Sequence, residues 1–140
     1  MATINKMVLN WNDFETSAPN TFRNLWKDDY FTDVTLATEE DQQIRVHKVI
    51  LSSCSPFFQN ILLKNPHPQP LLYLNNIQHR ELELLVQFIY LGQCEVGQGG
   101  LEAFLLAGRQ LKVKGLIEEL KGLQDINNLI SDHGSANQFE

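Results

Sequence analysis

Four histidines, two cysteines, a serine cluster and a glycine-rich turn are the residues from which this 140-residue chain could assemble chemistry. His47, His67, His79 and His133 fall in four different predicted elements, and no H-x-x-x-H pair offers zinc two ligands on one helical face. Cys54 and Cys94 stand forty positions apart in apolar surroundings, without C-x-x-C spacing, and are expected to fill core space as free thiols. Ser52, Ser53 and Ser55 lie at a corner between two helices rather than on a G-x-S-x-G elbow, and helix capping accounts for Ser55. Gly97, Gly99 and Gly100 form G-x-G-G, which lacks the third glycine of a dinucleotide fingerprint and reads as a turn. Asp28 with Asp29, residues 39–41, and Glu118 with Glu119 are acidic runs expected to face solvent. No catalytic constellation, metal site or cofactor is expected. His47, at a strand-to-helix junction, is expected to be a hydrogen-bonded structural residue.

Composition narrows the classes further. The chain is 43% hydrophobic and 20% charged, the profile of one folded domain with its own core. Eleven basic against seventeen acidic residues give a net charge of −6, and residues 1–30, 31–100 and 101–140 carry −1, −3 and −2. No segment offers the cationic footprint that grips a phosphate backbone. The first residues lack the apolar stretch of a signal peptide, and no run approaches the roughly 18 apolar residues of a membrane span. An intracellular protein is expected, touching neither nucleic acid nor membrane through this chain.

Periodicity places the elements. Residues 7–11, with Val8, Leu9 and Trp11, form an apolar strand with nothing nearby to pair with. Asn12 and Glu15 make a capping box before a helix whose apolar face carries Phe14, Ala18, Phe22, Leu25 and Trp26. Pro19 conflicts with that helix, since an interior proline costs about 3 kcal/mol; the helix either kinks there or begins later, with Pro19 in its first turn. Residues 34–37 and 44–46 form a hairpin, followed by a short buried helix over 47–53. Ser55-Pro56 starts the next helix with a cap and a first-turn proline, and residues 65–70, with three prolines, form a loop. A third strand covers 71–74. The clearest helix then places Leu82, Leu85, Val86 and Ile89 on one face and stops at Gly92. A strand at 94–96, a glycine turn, a helix from Leu101, and a last helix after Gly115 complete the reading, with a polar tail beyond.

Two features call for more than a self-contained fold. An unpaired apolar strand at residues 7–11 presents an edge that seeks another chain. Asp33, opening a strand, and Lys48, just after its hairpin partner, could meet as a semi-buried ion pair or remain a plain surface pair.

The ordered matches Asp33-Val-Thr-Leu36, Val46-His-Lys-Val-Ile-Leu-Ser-Ser-Cys-Ser-Pro-Phe-Phe58, Phe88-Ile-Tyr-Leu-Gly92 and Leu111-Lys-Val-Lys-Gly-Leu116 resemble a BTB/POZ domain over nearly the whole chain. The opening Leu9-Asn-Trp-Asn-Asp-Phe14 looks like that of the tramtrack-type group of arthropod transcription and chromatin factors. Pro19 and a slightly long turn at residues 39–43 depart from the pattern. The resemblance implies an α+β fold: a cluster of helices flanked by a short mixed sheet, with an N-terminal strand exchanged between subunits. It implies residues 1–12 as the exchanged strand, 13–123 as the domain and 124–140 as a helical extension and polar linker. It implies a non-catalytic module that forms an obligate homodimer and higher oligomers, and that associates with other tramtrack-type BTB proteins and co-regulators in the nucleus. Val8, Leu9, Trp11, Phe14, Phe22, Leu25 and Trp26 would form the dimer interface, Asp33 and Lys48 its charged pocket. His47, Ser55, Pro56, Tyr90, Gly92 and Gly115 would be structural. The other common use of such a domain is as the substrate adaptor of a cullin-RING ubiquitin ligase, which requires further helices after it; an enzyme is the third class.

Overall fold

The computed structural model describes residues 5–117. Helix α1 (Phe14–Lys27) leads into a hairpin of β1 (Val34–Ala37) and β2 (Gln43–Val46), then α2 (Lys48–Cys54), α3 (Pro56–Lys64), β3 (Leu71–Tyr73), α4 (His79–Leu91) and α5 (Leu101–Gln110). Residues 114–117 begin a further helical turn, and the expected extension over 124–140 lies outside the described residues.

The sheet has the order β2-β1-β3, antiparallel on one side of β1 and parallel on the other. Flanked on both sides and covered by helices, β1 buries all four of its residues, which is why Val-Thr-Leu-Ala lacks the polar alternation of a half-exposed strand. β3 is shorter than its apolar run suggests, and Leu71 and Tyr73 stay exposed because it is an edge. The core gathers Val34, Leu36 and Val46 from the sheet, Leu51, Phe58, Leu82, Leu85 and Val86 from the helices, and Leu111, Val113 and Leu116 from the end of the described chain.

Local chemistry fixes the helix boundaries. Ser55 caps α3, its Oγ accepting from the Phe58 N–H at 3.2 Å, with Pro56 in the first turn. At the other end of α4, Gly92 adopts φ 78°, the left-handed conformation open to glycine, and its N–H closes on the Phe88 carbonyl at 2.8 Å. The buried face of α4 carries Tyr90 in place of Ile89, which is only partly buried.

Three expectations are corrected. The Asn12–Glu15 capping box does not form: α1 starts at Phe14, and Asp13 precedes it at φ 67° with no side-chain cap. The helix does not begin late: Pro19 sits inside it, the other alternative read from the sequence. The Glu15 carbonyl that Pro19 cannot serve belongs to an exposed residue, so water can take the missing donor's place. Residues 7–11 and 94–96, both expected as strands, form none: the sheet among the described residues is β2-β1-β3 alone.

Candidate interaction surface

α1 is the anomaly of the fold. Its apolar residues recur at helical spacing, yet it buries none of them completely. Leu25 and Trp26 pack part-buried on the core, Trp26 against the Tyr90 ring with centroids 5.8 Å apart. Phe14 and Phe22 remain about half exposed. Beneath this half of the helix runs an apolar groove of about 520 Å³, lined by Phe14, Phe22, Val49, Ile50, Ile89 and Cys54. Ahead of it Met7, Val8 and Leu9 are 83–87% exposed, and the Trp11 ring meets that of Phe14 edge-on at 5.2 Å. All seven residues read from the sequence as interface-forming thus lie on this N-terminal segment and this helix.

Asp33 and Lys48 come together differently from the expected ion pair. Asp33 Oδ1 accepts from the main-chain N–H of Lys48 at 2.8 Å, serving the first turn of α2. The Lys48 ammonium turns away and donates to the His67 carbonyl at 2.5 Å in the proline-rich loop. The one contact within 4 Å between basic and acidic side chains among the described residues is His79 with Glu83, at 3.7 Å on one helical turn.

His47 is buried, with both ring nitrogens engaged. Nδ1 lies 2.6 Å from the Tyr90 hydroxyl and Nε2 lies 2.6 Å from the Tyr30 carbonyl. The His47 main-chain N–H also donates to Tyr90 Oη, at 2.9 Å. Burial pushes the Tyr90 phenol up to about 12, only partly opposed by that donated hydrogen bond. Ser55 is fully buried and both accepts from Phe58 and donates to the Leu111 carbonyl, tying α3 to the segment after α5. A Cβ on Gly115 would come within 3.0 Å of the Phe88 ring, so the bare glycine lets the last helical turn approach α4.

Two positions escaped the sequence reading. Arg45 donates to Thr32 Oγ1, Thr35 Oγ1, the Thr32 carbonyl and Gln69 Oε1, knitting the hairpin to the proline-rich loop. Phe31 holds φ 64° with its ring 88% exposed. Alternation on β2 could have flagged Arg45 as outward-facing; nothing in the sequence marks Phe31.

Little in this arrangement is reactive. Cys54 and Cys94 are free thiols. Burial raises both thiols, at Cys54 against the opposing charge of Lys114, so neither is an activated nucleophile. Among the described residues no cluster of His, Cys, Asp and Glu could hold a metal ion, and no helix is long and apolar enough to cross a membrane.

The family model described as BTB/POZ domain matches residues 22–125. The chain belongs to the BTB/POZ domain family. It is similar to the Drosophila melanogaster Longitudinals lacking protein-like, 42% identical over 118 residues that cover 84% of this chain and 92% of that protein. It also resembles Drosophila Broad-complex core protein, 37% identical over 90% of this chain, and Protein tramtrack, alpha isoform, 35% identical over 81%. Of those two longer relatives it spans only 18% and 14%. Among solved structures, the BTB domain of zebrafish PATZ1 matches 86% of this chain and 98% of its own with TM-score 0.70 at 18% identity. The BTB domain of human Gigaxonin covers 81% with TM-score 0.66 at 22% identity. At those identities the likeness bears on the fold, which is the α+β arrangement read from the sequence. The BTB/POZ domain is a protein–protein interaction module, and Protein tramtrack itself is among the relatives, in keeping with the group named from the sequence.

Proposed function

We propose that this BTB/POZ domain is a self-association module, an obligate homodimer that assembles further, within a nuclear regulator of transcription or chromatin. The observation that carries the reading is α1: an amphipathic helix that buries no residue of its own and stands beside an apolar groove. Such a face is stable in water only when covered. A second copy is the occupant that also accounts for the N-terminus. Residues 7–11 and 94–96 are two segments that join no strand among the described residues, and pairing one with the other between copies satisfies both. Domain boundaries follow, with residues 1–12 exchanged and 13–123 forming the folded unit.

Intertwined interfaces of this kind exceed roughly 2,000 Å² and leave the monomer without independent stability. On this reading Asp33 and Lys48 line the base of the interface, and catalysis and cofactors have no place in it. The net charge of −6 leaves DNA contact to other segments or partners, whose weak sites gain avidity when a dimer links them. Other tramtrack-type BTB domains and co-regulators are the expected partners. Light scattering on the purified 16.1 kDa chain at micromolar concentration tests the core of it. Twice that mass or more is expected, and a lone 16.1 kDa species overturns the reading.

A further inference from the structure

We infer that His47 is a positioning residue for the interface helix: its Nε2–H grips the Tyr30 carbonyl and thereby sets the angle at which α1 leaves the core. The inference deepens the proposed self-association and rests on α1 being its contact surface.

The hydrogen-bond network assigns the tautomer. A carbonyl can only accept, so the nitrogen facing Tyr30 carries the proton, and Nδ1 accepts from the Tyr90 hydroxyl. Tyr90 Oη in turn accepts from the His47 main-chain N–H. Every polar atom of the pair is satisfied, and the outgoing bond reaches a residue three positions beyond the end of α1. At that end of the helix Trp26 lands on the Tyr90 ring, beside Leu25, which also packs on the core. Two of its anchors, the Tyr30 carbonyl and Trp26, therefore converge on one buried pair, while the N-terminal half of α1 rests above the groove with Phe14 and Phe22 half exposed. The helix is hinged at His47–Tyr90.

Phe31 supports this independently. A bulky residue at φ 64° persists only where its surroundings dictate it, and its own side chain, 88% exposed, dictates nothing. The turn instead points the Tyr30 carbonyl inward while the Tyr30 and Phe31 rings both stay in solvent. The positive φ accompanies that aim on one side of Phe31, as Arg45 holds Thr32 on the other.

The two bonds of His47 can be separated. In His47→Gln the amide nitrogen can occupy the place of Nε2 and still donate to Tyr30; in His47→Asn the amide oxygen can take the place of Nδ1, accepting from Tyr90 and abandoning Tyr30. In the full chain, H47Q is expected to keep the dimer dissociation constant within threefold of the original. H47N is expected to weaken it at least tenfold, and to speed amide exchange in α1 at least tenfold while α4 is unchanged relative to H47Q. Equal effects of the two variants on α1, or effects spread equally over α4, overturn the inference. Phe31→Pro covers the case in which either His47 variant fails to fold. Proline forbids the positive φ on an exposed residue and should reproduce the α1 loosening, whereas unchanged α1 exchange and affinity overturn the hinge. Should the unsubstituted chain prove monomeric, the self-association reading fails by mass, and α1 exchange in the same variants still decides the positioning role.

Discussion

Asp33 and Lys48 are joined through the main chain and not through their charges: the carboxylate accepts the Lys48 backbone N–H while the ammonium is held by the His67 carbonyl. An acceptor aimed at a first-turn N–H is worth about 1 kcal/mol. Asp33→Ala should therefore cost about that much in urea unfolding, and Asp33→Asn less, since it keeps an acceptor oxygen. Because Lys48→Met leaves the N–H in place, the double variant should equal the two singles summed to within about 0.5 kcal/mol. A larger coupling energy would restore the direct ion pair that the sequence suggested.

Ser55 illustrates a second kind of economy, one hydroxyl serving two elements. Its Oγ accepts from Phe58 and donates to Leu111, with no solvent access. Ser55→Ala strands a buried carbonyl as well as removing a cap, for which about 2–3 kcal/mol is the expected loss. Equilibrium unfolding measures it, and a cost below about 1 kcal/mol would mean that water reaches the Leu111 carbonyl.

The contrast between these residues explains how much the chain discloses before it is folded. The cap at Ser55-Pro56, the glycine stop at Gly92 and the apolar stripe of α4 rest on interactions within a few residues, and they were legible. Asn12–Glu15 failed because Asp13 takes a left-handed conformation that lets the helix begin one residue later. The strands at 7–11 and 94–96 failed for a different reason, since a strand exists only beside another and pairing is a property of neighbours rather than of sequence windows. The Asp33–Lys48 proximity was readable from the hairpin register, but which atoms meet depends on rotamers and on the proline-rich loop across from them. The hinge at His47 was half visible: a polar residue at a junction signals a bonded histidine, while its partner in Tyr30 is a backbone carbonyl that carries no side-chain signature.

Tyr90 gives the fold an alkaline limit. Its hydroxyl is raised from the ordinary value of 10 to about 12, so the folded state favours the neutral phenol. That preference is fully present below pH 10 and is lost as pH rises from about 10 to about 12, at about 1.4 kcal/mol per pH unit. Tyr90→Phe has no phenol to ionise. It should be less stable at neutral pH, where the His47 N–H and Nδ1 lose their partner, yet the gap between the two proteins should narrow across this alkaline window. Denaturant melts at pH 8, 10 and 11.5 provide the comparison, and a gap independent of pH would place the ionisation of Tyr90 outside the folded state's energetics.

Removal of residues 1–12 separates the two contributions to the proposed interface. The segment contains Met7, Val8, Leu9 and Trp11, all largely exposed in the single chain, whereas the Phe14–Phe22 face and its groove stay behind. Burying apolar area contributes about 25 cal/mol per Å², so covering four such side chains stabilises an assembly by several kcal/mol before ordering costs are met. None of these side chains joins the core cluster, and a folded monomer should therefore gain nothing from them. The shortened chain is expected to show reduced mass above the dimer, or a dimer that melts earlier and more steeply with dilution, with its far-ultraviolet dichroism preserved. Unchanged mass and unchanged melting temperature across a hundredfold dilution would assign these residues no part in assembly.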